Sequence, residues 1–232
     1  ETIRAACAVL AAGGYKVHLA HAASGGPLCC GRTFLSVGDV DSAREEARRV
    51  LAAVAPYVER GVPVVGLEPS CVLGFRDEYQ AMLPGAETDR LAQHAFMLEE
   101  FLVREADAGH ALPLKPVAKR ALLHGHCHQK AFGALTPTER LLRMVPELDV
   151  QTIESSCCGM AGAFGYGADT IDVSLAMAEL SLLPAVRKAE PDAIIVADGT
   201  SCRHQVHDGA GRDAVHAVRV LADALAPRGT AA

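Results

Sequence analysis

The chain has 232 residues, of which 50% are hydrophobic and 22% are charged, and its formal net charge at pH 7 is −6. This composition is typical of a globular protein with one large domain or two smaller ones. The acidic balance, without a basic run, argues against nucleic acid as a partner. No apolar stretch reaches the roughly 18–20 residues that span a bilayer, so we expect no transmembrane segment.

The first half of the chain alternates predicted helices with short predicted strands. In chain order we expect a helix over 2–14, a strand over 15–20, a helix over 41–61, a buried strand over 62–67, helices around 75–82 and 88–105, and a linker over 107–116. Ser42 and Glu45 fit a capping box at the start of the second helix, and Gly61 fits its end.

The second half repeats this order. We expect a strand from 120 that leads into a loop with Cys127, a helix over 135–145, a strand over 149–153, a long helix over 169–189, a buried strand over 192–198 and a closing helix over 212–225. Thr136, Pro137 and Glu139 fit the capped start of the first of these helices. The alternation predicts an α/β fold of two pseudo-symmetric halves, 1–112 and 113–232, each a small, mostly parallel sheet flanked by helices.

The cysteines follow the same repeat. Each half has an adjacent pair, and a single cysteine follows 41 positions after Cys30 and 44 positions after Cys158. All of them come after predicted strands, and such loops gather at the C-terminal edge of a parallel sheet. Cys127 precedes Cys157 by 30 positions, whereas the same step back from Cys29 falls before residue 1. We therefore expect the first half to lack its first strand and loop.

The pair Cys157–Cys158 admits three interpretations. Two buried, inert cysteines would not explain why both pairs precede a glycine in matching loops. A redox dithiol between neighbours in sequence would be strained, and the common Cys-x-x-Cys spacing is absent. Thiolates are ligands suited to iron–sulfur clusters and zinc, and Cys127 and Cys202 complete a four-thiolate set from three loops. Metal or cluster ligation is therefore the favoured interpretation.

Five short motifs carry a resemblance to a known family. They are CCGR at 29–32, LEPSC at 67–71, HGHCHQ at 124–129, SSCCGMAGAFGY at 155–166 and DGTSCRHQ at 198–205. In this order they resemble the duplicated cysteine-rich (CCG) module of the heterodisulfide reductase B subunit. The module also occurs in the iron–sulfur subunits of glycolate oxidase, lactate-utilisation proteins and anaerobic glycerol-3-phosphate dehydrogenase. The likeness covers essentially the whole chain and is strongest to the C-terminal part of FAD-linked D-2-hydroxyacid dehydrogenases.

The resemblance implies a role for seven cysteines. In that family the cysteines of the module bind iron–sulfur clusters, in some members a non-cubane 4Fe–4S form, and zinc has been found in such modules. The implied ligands in the second half are Cys127, Cys157, Cys158 and Cys202. The implied lining of a partial cofactor site in the first half is Cys29, Cys30 and Cys71.

Two departures from the family pattern concern the type of cluster. The fullest pattern ends in Cys-x-x-Cys, whereas this chain has Cys202 alone, with His204 two positions later. The first half also has no cysteine at the leading position. The first-half site is therefore expected to be either vacant or occupied by a single metal ion.

Other polar residues surround the predicted sites. His126 and His128 flank Cys127, and hydrogen bonding to sulfur is favoured over direct ligation. His204 is a further supporting candidate. Glu68 stands three positions before the first-half single cysteine, where it is either a hard ligand, a proton carrier or part of a loop turn.

Two further residues are expected to be structural, and the role of a third has two alternatives. Cys7 lies inside a predicted helix and is interpreted as a small buried hydrophobe. His124 falls in a strand and is interpreted as a core residue. Arg203 either holds a carboxylate or is solvated. The glycine-rich run over 159–167 does not have the spacing of a nucleotide-binding loop.

The resemblance implies an oxidoreductase. The expected role is an electron-transfer module that passes electrons from the flavin of an FAD-linked 2-hydroxyacid dehydrogenase to a quinone, cytochrome or similar acceptor. FAD would lie on a partner or a further domain, and this chain has no predicted catalytic residue. Two alternatives remain: a structural zinc module that organises a partner interface, and a site that reduces thiols or disulfides. The expected location is cytoplasmic, either free or peripheral at the inner face of the membrane.

Overall fold

The computed structural model describes residues 1–23 and 25–227. The helices are α1 (Thr2–Ala12), α2 (Arg32–Ser36), α3 (Val40–Val58), α4 (Pro69–Val72), α5 (Glu78–Met82), α6 (Ala86–His94), α7 (Leu98–Asp107), α8 (Cys127–Ala131), α9 (Leu135–Arg143), α10 (Ile171–Glu179), α11 (Leu182–Lys188), α12 (Thr200–Ala210) and α13 (Ala217–Asp223). The strands are β1 (Val64–Gly66), β2 (Ala95–Met97), β3 (Arg120–His124), β4 (Asp149–Thr152), β5 (Ile194–Ala197) and β6 (Ala214–Val215). Leu73–Arg76 and Phe164–Tyr166 form short 3₁₀ helices.

The chain divides into two compact units. One consists of Glu1–Val17 together with Leu98–Ala232, and the other is His18–Met97. The predicted boundary at 112/113 divides the two copies of the sequence repeat, whereas the compact units are divided at residues 17/18 and 97/98. The boundary between the repeats therefore stays a prediction. Residues 228–232 of the predicted second half lie outside the described residues.

The larger unit contains a four-stranded parallel sheet in the order β4-β3-β5-β6. Leu122 on β3 is in register with Gln151 on β4 and with Ile195 on β5. The central strand is buried from its second residue onward, as expected for a parallel strand covered on both faces. This sheet confirms the predicted α/β fold, and its C-terminal edge collects the loops after β3, β4 and β5.

The smaller unit has a two-stranded parallel sheet of β1 and β2, with Val65 in register with Phe96. The prediction of one continuous helix over 88–105 is wrong, because β2 interrupts it. Ala95 and Met97 are buried on either side of Phe96. Apolar residues on both faces obscure a strand in the sequence, since they also fit a buried helix.

The predicted strand over 15–20 is also wrong, because these residues form no regular element. Val17 and Leu19 are exposed, so the alternation of apolar and polar residues does not correspond to a buried face. Consequently the pair Cys29–Cys30 does not follow a strand, unlike the other cysteines that the motifs singled out.

Several predicted helix ends differ from the structure. α3 begins at Val40, two residues before Ser42, because Asp39 accepts a hydrogen bond from the Ser42 backbone N–H at 3.1 Å and caps the helix instead. α9 begins at Leu135, so Thr136 is not its N-cap, and Glu139 accepts a hydrogen bond from Thr152 rather than closing a capping box.

Two predicted long helices are interrupted. The helix over 169–189 is broken into α10 and α11 at Leu180 and Ser181. The segment 212–225 begins with β6, which pairs with β5 before α13 starts. In both cases tertiary packing overrides a sequence pattern that is compatible with one helix. In the described part of the chain, no helix is both long and apolar enough to cross a bilayer.

Leu123 tests the central role of β3. Its side chain is fully buried, and we expect Leu123→Ala to lower the free energy of unfolding by about 2–5 kcal/mol because the substitution leaves a cavity. Chemical denaturation followed by circular dichroism measures this change. Leu180→Ala is the control: Leu180 is 78% exposed, so its effect should stay within about 0.5 kcal/mol. Equal effects of the two substitutions would contradict the assignment of β3 to the core.

Candidate metal centre

The structure brings four cysteines from three loops together at the C-terminal edge of the four-stranded sheet. Cys127 is the first residue of α8 after β3, Cys157 and Cys158 follow β4, and Cys202 is in the first turn of α12 after β5. Their side chains lie close enough to shift one another's pKa in sequence, Cys127 with Cys157, Cys157 with Cys158, and Cys158 with Cys202. Adjacent parallel strands explain the meeting, since their carboxyl ends lie side by side.

The four sulfur atoms differ in exposure. Cys158 and Cys202 are buried within the core cluster around Leu122 and Ile195, whereas Cys157 is half-buried and Cys127 is exposed. The site therefore has a closed inner side and an open outer side.

The pKa values of the four thiols are shifted in alternating directions along the set. Hydrogen bonds from Cys127 and Cys158 lower the pKa of Cys157, and a hydrogen bond from Cys158 lowers the pKa of Cys202, which the nearby His124 ring lowers further. Hydrogen bonding to Cys157 correspondingly raises the pKa of both Cys127 and Cys158. The lowered pKa values of Cys157 and Cys202 favour the thiolate form at these two positions, and thiolates are the form that binds soft metals.

Glycines allow the backbone to approach the sulfur atoms. The Gly159 N–H donates to the Cys157 sulfur at 3.3 Å, and Gly159 has a φ of +91°. A Cβ at this position would lie 2.1 Å from the Ser174 carbonyl oxygen on α10. A Cβ at Gly199 would lie 3.3 Å from the Cys202 sulfur. Side chains at either position would therefore displace the loops that present the cysteines.

Lys130 connects α8 to the cysteine pair. Its ammonium group donates to the backbone carbonyl oxygens of Ser155 and Ser156, the latter at 2.7 Å. Burial lowers the pKa of Lys130, and the charges of all four cysteines raise it again. The sequence alone does not identify this residue, since its contacts lie 25 and 26 positions away in the chain.

His124, which the sequence assigns to the core, also belongs to the site. It is buried at the end of β3, and its Nδ1 lies 2.7 Å from the Ser155 hydroxyl. One of its ring nitrogens lies within 4.8 Å of the sulfur atoms of Cys158 and Cys202. The signal in the sequence was its place at a strand end, three positions before the first cysteine of the set.

The other histidines are divided between the site and its surroundings. His126 and His128 flank Cys127, with their Nδ1 atoms 3.8 and 3.6 Å from its sulfur. His126 also caps α8, because its Nδ1 accepts a hydrogen bond from the His128 backbone N–H. His204 is exposed and pairs with the Tyr166 hydroxyl, and its supporting role at the site stays a prediction.

Arg203 has a structural role that was not expected from the sequence. Its guanidinium donates to the carbonyl oxygens of Ala197 and Asp198, the first at 3.0 Å. These bonds tie the end of β5 to the start of α12, rather than leaving the side chain solvated.

The cysteines of the first half also meet. The sulfur atoms of Cys30 and Cys71 lie 2.9 Å apart, and the Gly31 N–H donates to the Cys29 sulfur at 3.4 Å. The hydrogen bond from Cys71 lowers the pKa of Cys30 to about 7 and raises that of Cys71. The charge of Glu68 raises the pKa of Cys71 as well, so this carboxylate lies near the Cys71 sulfur. Like Cys202 in α12, Cys71 is the third residue of its helix, α4.

The amino-acid sequence of this chain is similar to those of several known proteins. The chain is 30% identical over 201 residues to the C subunit of anaerobic glycerol-3-phosphate dehydrogenase from Escherichia coli, covering 85% of this chain and 50% of that protein. It is 31% identical over 169 residues to D-2-hydroxyglutarate dehydrogenase of E. coli, covering 71% and 16%. It is 27% identical over 184 residues to lactate utilization protein A of Bacillus velezensis, covering 75% and 72%. The chain thus spans about half the length of its glycerol-3-phosphate dehydrogenase relative.

The family comparison falls on the four-stranded sheet and its cysteine loops. Residues 121–207, from β3 to α12, match the cysteine-rich domain family known as CCG. This segment contains all four cysteines of the converging set. Residues 121–207 of this chain are therefore similar to the cysteine-rich domain known as CCG.

Proposed function

We propose that this chain is the iron–sulfur electron-transfer part of an FAD-linked dehydrogenase of the 2-hydroxyacid type. The observation that carries the proposal is the meeting of four cysteine sulfurs from three loops at one sheet edge. The relatives by sequence include dehydrogenases of glycerol-3-phosphate and D-2-hydroxyglutarate, and a lactate utilization protein. All three names refer to the metabolism of small hydroxylated compounds.

The donor set fits an iron–sulfur cluster. Four soft sulfur donors face one another, the pKa values of Cys157 and Cys202 are lowered, and a backbone N–H points at the Cys157 sulfur. A buried ring nitrogen of His124 adds a further ligand atom beside Cys158 and Cys202. When bound, such a cluster supplies reversible one-electron chemistry.

The residues around the proposed cluster would have separate roles in shielding it, in contacting its partners and in setting its electrostatic surroundings. Cys158 and Cys202 fix the inner side of the site in the core and exclude water from it. Cys127 marks the outer side, where an electron donor or acceptor could approach. Lys130 places a positive charge near all four sulfurs and holds the loop of Ser155 and Ser156 in place.

The partners follow from this role. Electrons would arrive from a flavin on another domain or subunit and leave to a quinone or a similar acceptor. We place the chain in the cytoplasm or at the inner face of the membrane. The first-half set of Cys29, Cys30 and Cys71 would be a second, smaller metal site, with Glu68 as a nearby carboxylate.

A structural zinc site is the second candidate, and His124 favours it. Zinc prefers mixed sulfur and imidazole ligands in tetrahedral geometry, and His124, Cys158 and Cys202 converge within 4.8 Å. Anaerobic preparation from iron-replete cells, followed by iron, sulfide and zinc analysis with EPR, separates the two candidates. Zinc alone in stoichiometric amount, with no iron or sulfide, would overturn the electron-transfer proposal.

Cys202→Ser is the direct test of the ligand set. Replacing the buried sulfur removes one of four donors, so we expect the iron and sulfide content after anaerobic reconstitution to fall at least about tenfold. Cys7→Ser is the matched control, because Cys7 is half-buried on α1 and has no place in the converging set. Full iron and sulfide content in the Cys202→Ser protein would exclude this residue from the site.

Lys130→Met tests the role of the charge. Removing a cation near the sulfurs disfavours the more negative, reduced state, so we expect the midpoint potential to drop on the order of tens of millivolts. Lys188→Met, on the exposed end of α11, should leave the potential unchanged. A loss of bound iron with an unaltered potential in the remaining sites would show that Lys130 acts only through its backbone contacts.

A further inference from the structure

A second cluster of ionisable side chains lies outside the cysteine site. Glu99 in the first turn of α7, Asp198 directly after β5 and His216 at the start of α13 are each at most 1% exposed. His216 Nδ1 lies 3.4 Å from Asp198 Oδ1 and 3.7 Å from Glu99 Oε1. Two ionised carboxylates buried side by side would be strongly unfavourable without a compensating proton or cation.

The hydrogen bonds indicate where a proton resides. Asp198 accepts at both oxygens, from the Ala217 N–H at 2.9 Å and from the Gln129 side-chain amide at 2.7 Å. This pattern suits an ionised carboxylate, which is an acceptor only. The two oxygens of Glu99, by contrast, are buried, and within the described part of the chain neither has a hydrogen-bond partner from another residue.

His216 does not supply the missing proton through the nitrogen that faces the carboxylates. Its Nδ1 accepts a hydrogen bond from the Val218 N–H at 3.1 Å, which requires a lone pair at that atom. The charge balance of the cluster therefore depends on the two carboxyl groups.

We propose that Glu99 and Asp198 bind one proton, carried by Glu99, and that Gln129 connects this proton site to the turn that presents Cys127. The Gln129 side chain donates to Asp198 and accepts from the His126 backbone N–H at 3.0 Å. Its amide thus lies between the proton site and the residue that precedes Cys127. The proton site stands on its own contacts, whereas its link to electron transfer rests on the proposed function.

The charged groups around Glu99 agree with a neutral acid. Burial, and next the negative charge of Asp198, raise the pKa of Glu99 well above its usual value, and Glu100 on the same helix raises it further. Besides Asp198 and His216, which face Glu99 itself, Arg140 of α9 approaches the far end of α7, where it pairs with Asp107. Tyr15 and Arg104 contact Glu105 at that same end.

Infrared spectroscopy of the folded chain tests the proton site. At pH 7 exposed carboxyl groups are ionised, so a protonated carboxyl band reports a buried acid. We expect this band in the wild type, its loss in Glu99→Gln and its retention in Glu100→Gln, which changes the adjacent acid on the same turn. Absence of the band in the wild type, or its survival in Glu99→Gln, would overturn the proposal.

The pH dependence of stability gives an independent readout. A raised folded-state pKa stabilises the fold below the unfolded pKa of about 4.3, and this stabilisation is lost as the pH rises through the folded pKa. The wild type should therefore lose stability over that range relative to Glu99→Gln. Stoichiometric Mn²⁺ binding that Glu99→Gln abolishes would instead show that a cation occupies the cluster, since Mn²⁺ prefers carboxylate oxygens to thiolates.

The link to the cysteine site has its own measurement. A reduced centre holds the Glu99 proton more tightly, so the midpoint potential should fall with rising pH across the range where the infrared band disappears. Glu99→Gln should flatten this dependence, and Glu100→Gln should preserve it. Equal pH dependence in wild type and Glu99→Gln would overturn the link. The infrared result needs no cluster, so it stands apart from any failure of the proposed function.

Discussion

The parallel pairing of β3 with β4 on one side and β5 on the other is the constraint on which the site depends. Leu122 on β3 lies beside Gln151 on β4 and beside Ile195 on β5, although these residues are far apart in the sequence. Because all three strands run in the same direction, the loops after them emerge at one edge, however far apart they are in sequence. Buried apolar side chains fix this register, so the hydrophobic core itself determines the separation of the sulfurs.

The same packing makes the site asymmetric. Cys158 and Cys202 belong to the core, and their sulfurs are held from several sides, whereas Cys127 lies at the start of a five-residue helix and is exposed. A helix this short is stabilised mainly by its contacts. Here these are the His126 cap and the Lys130 bonds to the loop of the cysteine pair. The outermost cysteine is thus positioned by polar contacts, and the two buried cysteines are positioned by packing.

The sequence reveals the parts of this arrangement that have local signals. Strand–helix alternation and the matching cysteine spacing predict the parallel sheet and the loops that carry Cys127, Cys157 and Cys202. The strand β2 is not recognisable, since its residues are apolar on both faces, and the exposed segment 15–20 has a strand-like pattern without a partner strand. Alternation of residue types reports burial only when one face is solvated.

Residues that act through long-range contacts give no such signal. Lys130 and His124 differ in no obvious way from a solvated lysine and a core histidine until the loop after β4 is placed beside them. Glu99 is likewise an ordinary acidic residue of a helix first turn until Asp198, 99 positions later, faces it. The sequence therefore predicts the sulfur ligands but not the charges that surround them.

Gln129 shows why the polar surroundings and the fold cannot be separated. Its side chain is fully buried and bonds to Asp198, to the Thr138 hydroxyl and to the His126 N–H. It joins the end of β5, helix α9 and the turn before Cys127 with one amide group. A buried amide is stable only when its donors and acceptor are satisfied, so the three segments constrain one another. A change in charge at Asp198 therefore acts directly on the polar contacts that hold the outermost cysteine.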